Sequence, residues 1–317
     1  MRGITTSAYR RAFVAHFAGL DAAMAPFVPT VSAERINPKL LRDLLPSASP
    51  PQLPLIPQLL GKNADDFVRM TNSLEQLGYR EVNWNLGCPH KPVRKKTRGA
   101  GLLPRPDLVD ALLDQICDRS PLRISVKVRL GVASSAELEH LVPVLNQYPL
   151  SEVVIHPRTA DQMYAGTVDL DAFAAIYPEI RHPVRYNGDI DSPDFFRRLL
   201  LRFPELDRFM LGRGLLANPF LCEILRNLPP PAENPIERIA AFHADLLERY
   251  EARRVGDRAV LGKMKEFWTY QARHLSNGRK LFKKIKKTTT LFSYRSILDE
   301  LLPVAQWTPD DPSRSAS

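Results

Sequence analysis

Seven short apolar runs, separated by stretches of helical periodicity, constrain the fold of this chain more than any other feature. They are DAAMAPFV (21–28), LPLIPQLL (53–60), EVNWNL (81–86), RISVKVRL (123–130), SEVVIH (151–156), PVRYNG (183–188) and RFMLGRG (208–214). In 65–77, between two of them, Phe67, Met70, Thr71, Leu74 and Leu77 form one stripe, and Gly78 stands at its C-terminal stop. In 107–118 the stripe is Leu108, Leu112 and Ile116. Ser192-Pro193 supplies an N-cap followed by proline at the first helical position. Strands that alternate with helices at this spacing build βαβ units and a parallel sheet. The expected class is α/β, and the nearest standard architecture is the (β/α)8 TIM barrel.

The strand count is one short of that barrel. Thr5, Thr6 or Ser7 can cap a helix whose Tyr9, Phe13 and Phe17 share a face, so a helix precedes the first strand-like run. That order matches a βα unit whose strand is missing, and the chain is read as starting downstream of the barrel's first strand. Seven strands leave two unpaired edges, which proteins normally avoid. After Cys222 the pattern changes. NLPPPAENP (227–235) reads as a linker, and helical patterns follow at 236–254, 258–275, 279–287 and 288–302, with no strand pattern among them. The expected organisation is a cofactor-binding barrel domain over 1–226, an all-helical domain over 236–305 and a polar, disordered tail over 306–317.

No run approaches the roughly 20 apolar residues of a membrane span, and MRGITTSAYRRAF lacks the apolar core of a secretory signal. Cys88, Cys117 and Cys222 are too few and too unpatterned for a disulfide framework or a zinc site. A cytoplasmic, metal-free monomer away from the membrane is expected. Lys plus Arg exceed Asp plus Glu by 44 to 35, a net charge of +9. The excess is clustered: loop 90–98 has five basic residues and no acid, and GRKLFKKIKK (278–287) has six and no acid. Clustering of this kind suits a polyanionic partner.

In α/β barrels the active site lies at the C-terminal ends of the strands. Polar residues stand there on nearly every strand: Gln58, Asn85 with Cys88, Lys127 with Arg129, His156 with Arg158, Asn187, and Gly212-Arg213. Singly, each has a plain structural use: Asn85 can cap a turn, and His156 can be a hydrogen-bonded core residue. Together they converge on one rim. Lys127 is the most telling. In RISVKVRL it points the opposite way from Ile124, Val126 and Val128, and an unpaired ammonium inside a barrel is costly. It needs an anionic or carbonyl partner, and the N1–C2 edge of a reduced flavin is one. YNGDID (186–191) and LGRG (211–214) follow the last two strands, where barrels often build a phosphate site. Cys88 lies beyond its strand in a Gly-Cys-Pro turn beside the basic loop, a setting for a reactive thiol rather than a packed one.

These residues resemble the flavin-dependent tRNA-dihydrouridine synthase family. The resemblance runs from Met1 to about Ala305 and rests on NWNLGCPHKPVRKKTRGAGLL (83–103), KVRLG (127–131), HPRTADQMYAG (156–166), NGDI (187–190) and GRG (212–214), in family order. The chain departs in having HPRT where HGRT is common, and Leu170 near the place of a frequent tryptophan. The resemblance implies FMN in the barrel, NADPH as electron donor and a D-loop uridine of tRNA as substrate. It implies hydride delivery to C6 and a proton from Cys88 to C5. Gln58, Lys127 and His156 would hold the isoalloxazine and ribityl portion, with Asn187, Gly188, Asp189, Gly212 and Arg213 near the phosphate. Asn85 would orient the uracil. Arg158, the loop residues Lys91, Arg94, Lys95 and Lys96, and the helical-domain residues Arg279, Lys280, Lys283 and Lys284 would contact tRNA. Two other readings share part of the pattern: an FMN barrel oxidoreductase of a small molecule, and a catalytically impaired tRNA-binding relative.

Overall fold

The computed structural model describes residues 3–32, 36–46, 50, 53–229, 234–253 and 255–308. Parts of the expected linker (230–233) and tail (309–317) lie outside the described residues. The chain opens on helix α1 (Ser7–His16) and then runs through β1 (Ala23–Met24), β2 (Val28–Pro29), the short α2 (Pro38–Leu41), β3 (Leu55–Ile56) and β4 (Gln58–Leu60). The βα alternation follows as α3 (Ala64–Gln76), β5 (Glu81–Leu86), α4 (Lys91–Arg94), α5 (Pro106–Arg119), β6 (Arg123–Gly131), α6 (Ala136–Leu145) and β7 (Val153–Thr159). It continues with α7 (Leu170–Ile176), β8 (Val184–Asn187), α8 (Pro193–Arg202), β9 (Phe209–Met210), α9 (Arg213–Ala217) and α10 (Leu221–Leu225). Four helices complete the chain: α11 (Pro235–Glu251), α12 (Asp257–Gln271), α13 (Gly278–Lys287) and α14 (Leu291–Leu301).

Every strand pair is parallel, and the main sheet has the order β2-β4-β5-β6-β7-β8-β9. β1 pairs with β3 just before β2 pairs with β4, so each of the first two strands is one extended segment broken in the middle. The second break falls at Pro57, which has no N–H to give to a ladder. Seven strand positions therefore lie side by side in chain order, as the apolar runs predict. Among the described residues no ladder joins β9 to β2.

Strand β5 shows why the sheet has a polar inside. Val82, Trp84 and Leu86 are fully buried against the helix layer, with Trp84 packed edge-on to Phe67 of α3. Asn83 and Asn85 alternate with them and point to the interior. Two of the caps expected from sequence form: Ser192 Oγ accepts from Phe195 N at 3.3 Å at the start of α8, and Gly78 (φ +91) ends α3. Thr6 stands at the N-cap of α1 but makes no side-chain cap, its hydroxyl lying 3.2 Å from that of Tyr250 instead.

A second apolar core joins the two ends of the chain. Tyr9 of α1 stacks on Phe267 of α12 with centroids 5.2 Å apart, and Phe13 meets Phe242 of α11 edge-on. Helix α1 thus lends its apolar face to the helical region rather than to the sheet. No helix of the described residues is long and apolar enough to cross a membrane, and no metal-holding group of His, Cys, Asp and Glu occurs among them.

Candidate active site

The register of the sheet stacks polar residues in levels toward its C-terminal end. Gln58 pairs with Asn83, and Asn83 with Ser125. One level higher Asn85 pairs with Lys127, and above that Arg129 pairs with His156. Hydrogen bonds run through the lower levels. Gln58 Nε2 donates to Asn83 Oδ1 at 2.8 Å, Asn83 Nδ2 to Ser125 Oγ at 3.1 Å, and Asn85 Nδ2 to Gln58 Oε1 at 2.8 Å. The remaining oxygen of Asn85 accepts the backbone N–H of Gly87 (3.1 Å) and of Cys88 (2.8 Å). Asn85 therefore caps the turn that carries the thiol. Its amide nitrogen has a second hydrogen that meets no acceptor among the described residues.

Cys88 is a free, half-buried thiol. Its carbonyl accepts from Ala100 N at 3.2 Å, so the basic loop folds back beneath it. That return requires glycine at position 99: φ is +55, and a Cβ there would lie 2.8 Å from the Cβ of Cys88. Arg129 clamps the same turn from across the sheet, with Nε donating to Gly87 O (3.1 Å) and Nη1 to Thr159 O (2.8 Å). Arg94 Nη1 donates to Asp161 Oδ1 at 2.8 Å and fixes the basic loop to the segment after β7.

Electrostatically the interior carries excess positive charge. The ammonium of Lys127 makes no hydrogen bond or ion pair among the described residues, and burial together with the nearby Arg129 brings its pKa down to about 7. Burial, followed by Lys127, Arg129, Arg158 and Arg213, holds His156 well below the ordinary histidine value, so its ring is neutral. Arg158 is only 1% exposed and spends its guanidinium on Asp189 Oδ1 (2.8 Å) and Oδ2, Gly166 O (2.7 Å) and His156 Nε2 (3.1 Å). Arg213 approaches Asp189 Oδ1 at 3.2 Å and lies over the ring of Tyr164, 4.8 Å from its centroid. Gly188 (φ +152) permits this packing, because a Cβ there would meet Val168 Cγ1 at 2.7 Å and His156 Cδ2 at 3.1 Å.

These groups face one cavity of about 2490 Å³, lined by Cys88, Asn85 and every residue expected at the cofactor: Gln58, Lys127, His156, Asn187, Gly188, Asp189, Gly212 and Arg213. Two placements differ from the expectation. Arg158, expected at tRNA phosphates, is buried in the cavity wall and bound to Asp189. The Asp189 carboxylate is held by two arginines, which leaves only its backbone for an anion. Asn187 Nδ2 donates to Met210 O at 2.8 Å and ties β8 to β9. The basic residues lie outside the cavity: Lys91, Lys95 and Lys96 are exposed on the loop, as are Arg279, Lys280 and Lys283 on α13. Lys284 is bound to Glu300 at 2.8 Å. Arg129 and Tyr164 join the site without a role foreseen for them. Alternation with Lys127 along β6 is the signal that marks Arg129. Tyr270 and Arg273 line the cavity from the helical region, and no local signal places them there.

The Arg158–Asp189 pair should matter for stability as well as shape. Arg158→Met is expected to lower the unfolding free energy by about 2–3 kcal/mol, the usual scale for charged hydrogen bonds. Asp189 keeps Arg213, so the loss stays below that of a fully stranded buried charge. Denaturant unfolding measures it, and Arg158→Met combined with Asp189→Asn should recover part of the loss.

A family model described as dihydrouridine synthase matches residues 1–295. A tRNA-dihydrouridine(16) synthase from Ralstonia nicotianae is 28% identical over 248 residues, 74% of this chain and 74% of that protein. A tRNA-dihydrouridine synthase B from Pasteurella multocida is 28% identical over 172 residues, 54% of this chain and 52% of its own length. The chain thus spans about half the length of that relative. Among solved structures, histamine dehydrogenase from Rhizobium sp. 4-9 superposes with a TM-score of 0.52 at 12% identity, covering 71% of this chain and 44% of that one. At that identity the likeness speaks for the barrel-type α/β fold alone. The family match runs without a break from the first residue into α14, across both the sheet and the helical region, and the chain belongs to the dihydrouridine synthase family.

Proposed function

We propose that the chain is a flavin-dependent tRNA-dihydrouridine synthase that reduces the C5–C6 bond of a D-loop uridine, with residues 1–226 carrying the chemistry and 236–305 contacting the RNA. The observation that carries this reading is the convergence of a free thiol, an uncommitted amide hydrogen and an unpartnered lysine on one cavity. The residues suit FMN. Lys127 calls for a negative charge, the neutral His156 offers a polar edge, Gln58 keeps one lone pair on Oε1 beside its bonds to Asn83, Met24 and Asn85, and the backbone at Gly212 is open enough for a phosphate to approach. When bound and reduced by NADPH, FMN supplies the hydride for C6.

The protein's own residues do the rest. Cys88 Sγ–H holds the proton destined for C5 and gives it up as general acid. The second amide hydrogen of Asn85 orients a uracil carbonyl, and Arg129 keeps the Gly87-Cys88 turn in place. A uridine inside folded RNA cannot reach a cavity this deep, so it must be extruded from its stack. Lys91, Lys95 and Lys96 beside the mouth, with α13, then hold the phosphates. Incubation with unmodified tRNA and NADPH, followed by mapping of dihydrouridine, tests the proposal: a reduced uridine at a defined position is expected, and absence of product from a flavin-loaded protein overturns it.

One second reading is a chain that binds tRNA but holds flavin weakly; what favours it is that no ladder joins β9 to β2 among the described residues. A colourless purified protein that still shifts tRNA would support it.

A further inference from the structure

Phe292, in the first turn of α14, is 81% exposed. Single exposed apolar residues are ordinary on protein surfaces, so its surroundings decide what it means. From Phe267 to Leu298 the chain has no acidic residue. The exposed positions leading to Phe292 are Lys283, Lys286, Lys287, Thr289 and Thr290, all cationic or hydroxylated. On α14 itself the next exposed cation, Arg295, is paired with Glu251 at 2.7 Å, so the uncompensated charge lies on α13, where Lys283, Lys286 and Lys287 make no ion pair among the described residues. Phe282, half-buried on α13, is covered by Lys286, whose ammonium is 5.4 Å from the ring centroid, while the ring of Phe292 stays open to solvent. Ser293 and Thr290 cap the helix start, so the ring rests on an ordered turn.

We infer that Phe292 is a stacking platform for an unpaired nucleobase of RNA, with the lysines of α13 on the adjoining backbone. An open π-face beside unopposed cations is the combination that holds single-stranded nucleic acid, because the charges track phosphates while the ring takes any base. A protein partner would instead call for acidic residues opposite the lysines and an apolar patch wider than one ring. The inference rests on the tRNA reading above and adds a specific contact to it.

The test measures binding of the full chain to unmodified tRNA over a range of salt concentrations. Phe292→Ala should weaken binding about five- to hundredfold with an unchanged salt slope, since no phosphate contact is lost. Phe292→Trp should bind as the unaltered chain does, and Phe292→Leu should lose most of what alanine loses. Lys283→Ala with Lys287→Ala should instead flatten the slope of log affinity against log salt by about 1.4 to 1.8. Unchanged affinity in Phe292→Ala, or full affinity in Phe292→Leu, overturns the stacking role while leaving the tRNA reading intact. Failure of the unaltered chain to bind tRNA at all overturns both.

Discussion

Cys88→Ala is expected to reduce dihydrouridine formation by about 10²–10⁴-fold, the usual contribution of a positioned general acid, while flavin stays bound. The thiol has no structural duty that alanine cannot meet: it forms no disulfide, and the turn around it is held by backbone groups, through Asn85 Oδ1 and Ala100 N. What alanine removes is the proton. Flavin absorbance and dihydrouridine yield, measured on the same sample, separate the two effects. Full turnover in the variant would end the proton-donor assignment. Cys117→Ala and Cys222→Ala are the controls and should leave turnover near that of the unaltered chain. Burial pushes Cys117 up to about 11 and Cys222 up to about 12, so both hold their protons tightly; Cys117 lies away from the cavity, and Cys222, though on its lining, is buried.

The second large effect belongs to Lys127. Its folded pKa of about 7 lies below its ordinary value of 10.5, so folding without an anion disfavours the charged form. The sign is as follows. Above 10.5 the lysine is neutral in both folded and unfolded chains and costs nothing; as pH falls toward about 7 the unfolded chain takes up a proton that the folded chain resists, and stability is lost. Flavin-free Lys127→Met should therefore melt at a higher temperature than the unaltered protein at pH 7–8. Reduced flavin reverses the balance, because the negative charge at its N1–C2 edge restores the ammonium. Affinity of the unaltered chain for reduced FMN should then drop by roughly tenfold per pH unit above about 7. In Lys127→Met it should be weaker near neutrality and nearly flat with pH. Anaerobic titration with reduced FMN between about pH 7.5 and 9, followed by absorbance, checks this, in a range where the flavin phosphate is already fully ionised. A pH-independent affinity in the unaltered chain would remove Lys127 from the cofactor site.

Much of this site could be read before any fold was known, because a strand's side chains alternate. The pattern of EVNWNL separates Asn83 and Asn85 from Val82, Trp84 and Leu86, and RISVKVRL separates Lys127 and Arg129 from their apolar neighbours. Once the strands are known to be parallel and in chain order, those inward residues must share a rim. Contacts that join distant segments were not legible. Arg158 stands near the end of β7, and nothing local says that Asp189 closes on it. The left-handed backbone of Asp189 (φ +46), which turns its carboxylate inward, is a property of the folded loop. Helix α1 is similar: its face was plain from Tyr9 and Phe13, but its partners Phe242 and Phe267 lie near the other end of the chain.

The joining of the two chain ends in one apolar core has a consequence for how the molecule comes apart. A helix whose apolar face is buried on residues far along the chain cannot fray independently of them: Tyr9 and Phe13 come free only when Phe267 and Phe242 lose them. Residues 7–16 are therefore as stable as the helices that grip them, and they open and close with α11 and α12 rather than with the strands that follow them in sequence.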